Sequence, residues 1–437
     1  MNPADSVSEI SASSRDNAPQ PMSRFRIQGP CRLRGTVVAS GAKNAALPAM
    51  AASLLTDDEL VLARAPRVRD IRTMAHLLAH LGIEHQADDA RVRLRATGNG
   101  SADDAPYDLV KEMRAGVLVL GPLLARRGHA RVSLPGGCAI GVRPIDQHLE
   151  GLEALGAEVE LEHGYVAATA RQLVGARYRF SVPTVGGTEN LLMAASLARG
   201  TTRLENCAME PEIVDLSELL NAMGARVEGA GTDTIEIHGV DRLHGAEHEI
   251  IPDRIECGTY LTAAAMTGGD VTVDGARTAD LAPLLERLVE AGSQVEQTEG
   301  GLRLHRSGAL RARDMITAPH PGFPTDLQAQ YMACMTQAEG VSTICETVFE
   351  NRFQHVPELA RMGARIEIDG SYARVSGPTA LSGAKVMATD LRASACLVLA
   401  ALAAEGETVV DRIYHLDRGY EHMEEKLGSL GAVVERA

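Results

Sequence analysis

No stretch of this 437-residue chain stays apolar for the roughly 18 residues that a membrane-spanning helix needs. Met1 to Pro21 is rich in Ser, Asn and Asp and lacks the apolar block of a secretory signal. The expectation is a cytoplasmic protein without a membrane partner, in which residues 1–22 form a disordered tail. Seven cysteines, an odd number, occur without a C-x-x-C pair or a zinc-type Cys/His spacing, so neither a disulfide framework nor a structural zinc site is expected. His148 and His355 read as residues at helix starts, and no metal or organic cofactor is implied. Positive charge is in deficit: 43 Lys and Arg against 58 Asp and Glu leave a net charge of -15, which disfavours nucleic acid as a partner. An anionic ligand therefore needs a local cluster of cations working against the overall field. Composition marks no clear linker, although a chain of this length, 45% apolar and 23% charged, exceeds one core and implies two or three domains.

What the chain does have is repetition. An apolar helix, then Leu, Met or Ala followed by Gly, then an alternating strand recurs at Gly82, Gly156, Gly224, Gly292, Gly363 and Gly431, at intervals of 74, 68, 68, 71 and 68 residues. The helix before each glycine carries a core stripe at i, i+3, i+4, i+7, as in Met74, Leu77, Leu78 and Leu81, and the glycine is suited to end it. A β-rich run precedes each such helix. The loop between run and helix carries Cys138 and Arg143, Glu210 and Glu212, Arg352, or Arg418. Repetition brings these loops to one end of their units.

A second helix in each unit is Ala-rich and apolar nearly all round, and is opened by Lys43, Arg114, Thr188, Glu256, Asp326 or Arg392. Aligned buried helices point several N-termini, each worth roughly half a positive charge, towards one region suited to an anion. Lys43 opposes the dipole of the helix it opens, so its placement calls for an anion. Asp326 follows Pro324 and suits an N-cap. The fold class expected is α/β, an inside-out arrangement with helices within and sheets outside, in two domains of three units. The boundaries expected are 43–250 for the first domain, and 23–42 plus 251–437 for the second.

The clearest chemical signal is Ser133 to Asp146, where the thiol of Cys138 stands among glycines, between Pro135 and Pro144, with Arg143 five residues on. Such a loop presents the thiol and lets backbone approach a ligand closely. The plain alternative is a buried small hydrophobe.

With this loop, the motifs Ser40-Gly-Ala-Lys-Asn-Ala-Ala46, Leu134-Pro-Gly-Gly-Cys138, Arg143-Pro-Ile-Asp146, Glu210-Pro-Glu-Ile-Val-Asp215, Pro252-Asp-Arg-Ile-Glu256, Phe323-Pro-Thr-Asp-Leu-Gln328, Glu350-Asn-Arg-Phe353, Asp390-Leu-Arg-Ala-Ser394 and Asp417-Arg-Gly-Tyr420 stand in order across residues 24–437. In these the chain resembles the enolpyruvyl transferases, and among them those acting on UDP-N-acetylglucosamine. The resemblance implies the two-domain inside-out α/β barrel of that family, six βαβαββ-like units, three per domain. It also implies an enzyme that moves the enolpyruvyl group of phosphoenolpyruvate to the 3'-hydroxyl of the sugar nucleotide, releasing phosphate through a tetrahedral ketal, at the first committed step of peptidoglycan synthesis.

By the same resemblance Cys138 is the general acid and the thiol alkylated by fosfomycin, and Asp326 accepts the hydroxyl proton. Lys43, Arg143 and Arg418 meet the phosphate, Arg352 and Arg392 the carboxylate of phosphoenolpyruvate, with Asn44 beside them. The sugar nucleotide is met by Asn44, Arg114, Arg143, Pro144, Ile145, Asp146, Gln147, Val182, Pro183, Thr184, Val185, Asp326 and Val348. Gln147 departs from the apolar residue usual in the family, and the Val182 segment varies within it. Glu210 and Glu212 read equally as helix N-terminal charges or as a hinge salt bridge. Two other readings stand beside this one: a sibling transferase for another acceptor such as shikimate 3-phosphate, and a non-catalytic sugar-nucleotide binder.

Overall fold

A computed structural model describes residues 23–88, 91–97, 102, 104–111, 113–134 and 145–437. Six four-stranded sheets account for all the strands described, and each has one parallel pairing followed by two antiparallel ones. Residues 177–238 show the unit in full: strand Arg177–Arg179, buried helix Val185–Ala195, strand Thr201–Glu205 parallel to the first, outer helix Pro211–Ala222, then antiparallel strands Arg226–Glu228 and Thr234–His238. This is the βαβαββ order.

The six glycines after the outer helices all adopt positive φ, from 88° at Gly82 to 108° at Gly292. An L side chain rarely takes that conformation, which is why the spacing shows through so regularly. The inner helices are apolar on every face because they are surrounded: Arg254–Thr267, Gln328–Met335 and Leu391–Ala403 pack on one another, and their own sheets enclose them. Leu397, Leu399 and Leu402 point in different directions and are all buried, each stabilising the fold by about 1.5–3 kcal/mol.

The starts of the inner helices differ from the sequence expectation. Thr188 and Glu256 lie inside their helices, which are capped instead by Thr184 and Asp253; Asp390 caps the helix that contains Arg392. Arg114 opens a 3-10 turn, Arg114–Val119, ahead of helix Leu120–Arg127. A short polar side chain that reaches the second or third N–H outcompetes a longer or apolar residue for the cap position.

Two separate cores result. One gathers buried side chains from Ala42 to Ile250; the other gathers Phe25 to Ala39 together with Ile255 to Ala432. The chain passes between them twice, and each passage completes a sheet elsewhere. Strand Arg34–Val38 lies parallel to Asp270–Asp274, whereas Arg24–Gly29 is sandwiched between Gly406–Asp411 and Val433–Arg436. In the other half, Glu247–Glu249 joins Leu60–Ala63. The two passages lie side by side: Ala42 N–H donates to Ile251 O at 2.7 Å and Asp253 N–H to Ser40 O at 2.8 Å.

Gly41 sits in this crossing, where a β-carbon would come within 1.8 Å of Arg64 O. A Gly41→Ala substitution is expected to push the first passage away from Arg64 and to lower stability by about 1–3 kcal/mol. Calorimetric unfolding of the two proteins measures it; an unchanged midpoint would show that the crossing yields without cost.

Candidate active site

Charged residues at helix starts and in the described loops after the parallel strands meet where the two cores adjoin. Two groups of three charges form there. In the first, Asp70 lies between Lys43 Nζ, 3.2 Å from its Oδ2, and Arg418, whose Nε is 2.9 Å from Oδ1 and Nη2 3.3 Å from Oδ2. Lys43 and Asp70 belong to the first core and Arg418 to the second. Burial pushes the Asp70 carboxyl up, but the charges of Lys43 and Arg418 outweigh it and hold the group below the ordinary carboxylate range. The anion that Lys43 requires at its helix start is thus supplied within the chain.

In the second group Asp326 receives Arg352 Nη2 at 2.7 Å on one oxygen and Arg392 Nη2 at 2.8 Å on the other. Both arginines are almost fully buried, at 4% and 5% exposure, so a carboxylate near them is a condition of their burial. Asp326 lies within the 3-10 turn Thr325–Leu327 and not at a cap position, and its carboxylate meets the two arginines. Desolvation pulls Arg392 down, while Asp326 and then Tyr420 push it up, with a net rise.

Polar partners brace this group from behind. Tyr420 Oη lies 2.8 Å from Thr259 Oγ1, 3.2 Å from Gln330 Nε2 and 3.5 Å from Arg392 Nη1. Gln330 also donates to Asp326 O at 3.0 Å. The buried carboxylate of Glu346 accepts from Thr317 and Thr325 hydroxyls at 3.0 and 2.8 Å and from the Val348 and Phe349 N–H groups at 2.9 and 3.2 Å. One side chain thereby ties the turn bearing Asp326 to the loop bearing Val348, whose side chain is exposed.

The remaining expected residues line the first core's side. Asn44 follows Lys43 in the first turn of helix Lys43–Ala52 and is half-buried. Ile145 is buried, and Asp146 opens helix Asp146–Ala154. Val182 and Pro183 are exposed, and Val185 is half-buried behind the Thr184 cap, whose hydroxyl accepts from Gly187 N–H at 3.4 Å. Gln147 has a structural account. Its Oε1 accepts from Ser181 N–H at 2.7 Å, Ser181 Oγ at 3.0 Å and Val182 N–H at 3.3 Å, and its Nε2 donates to Val182 O at 3.2 Å. An amide in place of an apolar side chain pins the Val182 segment to the helix after the thiol loop. Cys138, Arg143 and Pro144 lie outside the described residues.

Glu212 pairs with Arg254 of the other core at 3.0 Å, beside the crossing, which is the hinge salt bridge among the readings of this motif. Glu210 occupies the N-cap position of helix Pro211–Ala222 without a side-chain cap bond, and burial raises its carboxyl. His76 with His80, and His244 with His248, stand four residues apart. Among the described residues no group of three or more His, Cys, Asp or Glu side chains is placed to hold a metal ion. A cavity of about 940 Å³ lies at the far end of the first core, bounded by Thr56, Gly128 and Arg199, where the inner helices finish. Arg126 donates there to Leu55 O at 3.0 Å, a helix C-terminal contact and not part of the charged site.

Asp70 and Glu346 stand in none of the sequence motifs, and Tyr420 stands in one without a role of its own. A signal for Asp70 existed: outer helices carry an acid in the first turn at Asp70, Asp146, Glu212 and Asp280, so the repeat itself pointed to it. Tyr420 acts through contacts between units, which spacing does not encode, whereas Glu346 braces two loops of its own unit.

Comparison with known proteins places this arrangement. The family model described as EPSP synthase (3-phosphoshikimate 1-carboxyvinyltransferase) matches residues 27–427. A UDP-N-acetylglucosamine 1-carboxyvinyltransferase of Gluconacetobacter diazotrophicus is 57% identical over 95% of this chain and 99% of its own length; one of Koribacter versatilis is 56% identical over 95% and 96%. The crystal structure of the enolpyruvyl transferase NikO from Streptomyces tendae superposes with a TM-score of 0.86 at 27% identity, over 95% of this chain and 99% of that one. An EPSP synthase of Acinetobacter baumannii, at 19% identity, covers 95% of this chain and all of its own with a TM-score of 0.72, and shares the fold.

His148, bonded through Nδ1 to Asn190 Nδ2 at 3.0 Å, is pushed down to about 4 by burial and then by Arg114. His355 is also pushed down to about 4, by burial that prevails over Asp390. Below the ordinary histidine pKa the unfolded chain binds protons that these folded imidazoles refuse, so their contribution makes stability rise with pH between about 4 and about 6.5. The unfolding midpoint of the wild type is expected to climb across that window more steeply than that of a His148→Gln, His355→Gln double variant. Parallel profiles would show that the two imidazoles titrate normally.

Proposed function

The chain belongs to the EPSP synthase family of enolpyruvyl transferases, and from that premise we propose that it transfers the enolpyruvyl group of phosphoenolpyruvate to the 3'-hydroxyl of UDP-N-acetylglucosamine with release of phosphate. The observation that carries this reading is the pair of charge groups, Lys43–Asp70–Arg418 and Arg352–Asp326–Arg392, side by side where the two cores meet. A small dianion with a phosphate at one end and a carboxylate at the other suits two adjacent cation pairs. The retained Leu-Pro-Gly-Gly-Cys loop and the sugar-nucleotide relatives favour this acceptor over shikimate 3-phosphate. The two cores correspond to working domains 43–250 and 23–42 plus 251–437, which close on substrate.

Lys43, Arg418 and Arg143 receive the phosphate; Arg352 and Arg392 receive the carboxylate. That carboxylate takes the place Asp326 holds on the two arginines. The displaced Asp326 then has lone pairs for the proton of the attacking hydroxyl. As the hydroxyl oxygen bonds to C2, that proton passes to Asp326 and the methylene C3 takes a proton from the Cys138 thiol, giving the tetrahedral ketal. Elimination reverses the protonation at C3 and breaks the bond from C2 to the phosphate oxygen, leaving the enolpyruvyl ether and phosphate. Fixed cations hold the phosphate charge through both steps.

The sugar nucleotide lies along Asn44, Arg114, Arg143 to Gln147, and Val182 to Val185, with Asp326 and Val348 from the other core. No described helix is long and apolar enough to cross a membrane, and the reaction belongs to a cytoplasmic step of cell-wall synthesis, on which cell shape and division depend. Fosfomycin alkylates Cys138.

Phosphate release from phosphoenolpyruvate plus UDP-N-acetylglucosamine tests the reaction, with shikimate 3-phosphate as the control acceptor. Turnover is expected with the first alone, and its absence would refute the assignment. Treatment with fosfomycin should abolish turnover with one adduct on Cys138 by intact mass. Cys138→Asp, which keeps an acidic donor, should turn over and resist the inhibitor; inhibitor sensitivity in that variant would remove Cys138 as its target.

A further inference from the structure

Asp70 has no part in the bond-making steps, yet it is 3% exposed and joins cations from two cores. It stands in the first turn of helix Arg69–His80, where the N–H dipoles favour an anion, and it has a single methylene between backbone and carboxylate. Such a group cannot follow a partner that moves; its partners must come to it. Lys43 opens helix Lys43–Ala52 and is aligned by the Asp70 contact, which takes one of the three donors of its ammonium. Arg418 ends the turn Ile413–Arg418 of the second core and offers Asp70 its Nε and Nη2 edge. Without a carboxylate between them, the ammonium and the guanidinium would repel each other across the junction.

Ion pairs that span this junction include Glu212–Arg254 beside the crossing, Arg67–Glu421, and Asp70–Arg418. Of these, the last includes a cation assigned to the substrate. The contact forms only when the two cores are together, so the same interaction that closes the junction completes the phosphate subsite.

We propose that Asp70 is a positioning residue for the phosphoryl group: it sets the separation of Lys43 and Arg418, and so assembles from two halves of the chain the cation pair that receives the phosphate of phosphoenolpyruvate. The inference rests on the reading of Lys43 and Arg418 as phosphate-side cations. The acceptor nucleotide is held mainly by residues of the first core and does not depend on Asp70.

The test is Asp70→Asn in the full-length enzyme, an isosteric change that removes the charge. KM for phosphoenolpyruvate is expected to rise about tenfold or more and kcat to fall, while the calorimetric Kd for UDP-N-acetylglucosamine stays within about twofold. In an Arg418→Gln background the same change should cost much less, because Asp70 acts through a group already absent; two independent structural defects would multiply. An unchanged or lowered KM for phosphoenolpyruvate would overturn the proposal, as would an undiminished cost in the Arg418→Gln background. If circular dichroism shows Asp70→Asn unfolded, Asp70→Glu carries the test: it keeps the charge but displaces the carboxylate by one methylene, and should show the same split between KM and Kd. Wild-type kinetics in Asp70→Glu would overturn it. A wild type that releases no phosphate would strike the reaction assignment instead, and the phosphoenolpyruvate Kd of the Asp70 variants would then decide on Asp70.

Discussion

A guanidinium taken out of water has to meet a carboxylate, and this requirement organises the junction between the two cores. Arg352 and Arg392 are buried by the elements around them, and Asp326 is the anion both of them reach. Breaking such a pair by removing one partner costs about 3–5 kcal/mol, because the other charge is left buried and uncompensated. In the other group the buried charge is Asp70, and the half-buried Lys43 and Arg418 compensate it. The site is therefore partly compensated before any ligand arrives, each pair of cations sharing one carboxylate and keeping one net positive charge. An incoming anion competes with internal carboxylates as well as with water, and a dianion of the right length is favoured over a single carboxylate.

Repetition explains how cations come to share so small a region. In every unit the inner helix begins, and the loop after the parallel strand ends, on the same side of the sheet. Lys43, Arg114 and Arg392 use the first kind of position; Asp70, Arg352 and Arg418 use the second. The scaffold has approximate symmetry, and the chemistry lies in how the units differ at these two positions. Tyr420 adds unsymmetrical bracing that links elements of different units, and Glu346 ties together two loops of its own unit.

The architecture was legible because it rests on backbone rules. A glycine forced to positive φ after each outer helix leaves a mark in any sequence, as does a helix apolar on every face. Helix starts were less legible: Thr184, Asp253 and Asp390 took the caps because their side chains reach the first free N–H groups, a competition decided within one or two residues. The cations could be placed by motif, but their partners could not. Nothing in the spacing between Lys43 and Asp70, or between Asp326 and Arg392, says that they touch, since the first contact depends on how two helices of one unit pack and the second on how two units face one another. Gln147 illustrates the converse. By motif it is a departure, and its four hydrogen bonds to Ser181 and Val182 make it a local brace.

The sandwiching of strand Arg24–Gly29 between Gly406–Asp411 and Val433–Arg436 sets an order on biosynthesis. The core formed by Ala42 to Ile250 has all its strands once residue 250 has left the ribosome, so it can fold while the rest is being made. The other core contains the first described strand of the chain and the last, and Phe25 finds its partner Arg436 only after both cores' intervening strands have been made. Until then the strand Arg24–Gly29 remains open-edged, and the loop it must close takes in the whole of the first core. The half of the protein that is synthesised first at one end is therefore the half that is finished last.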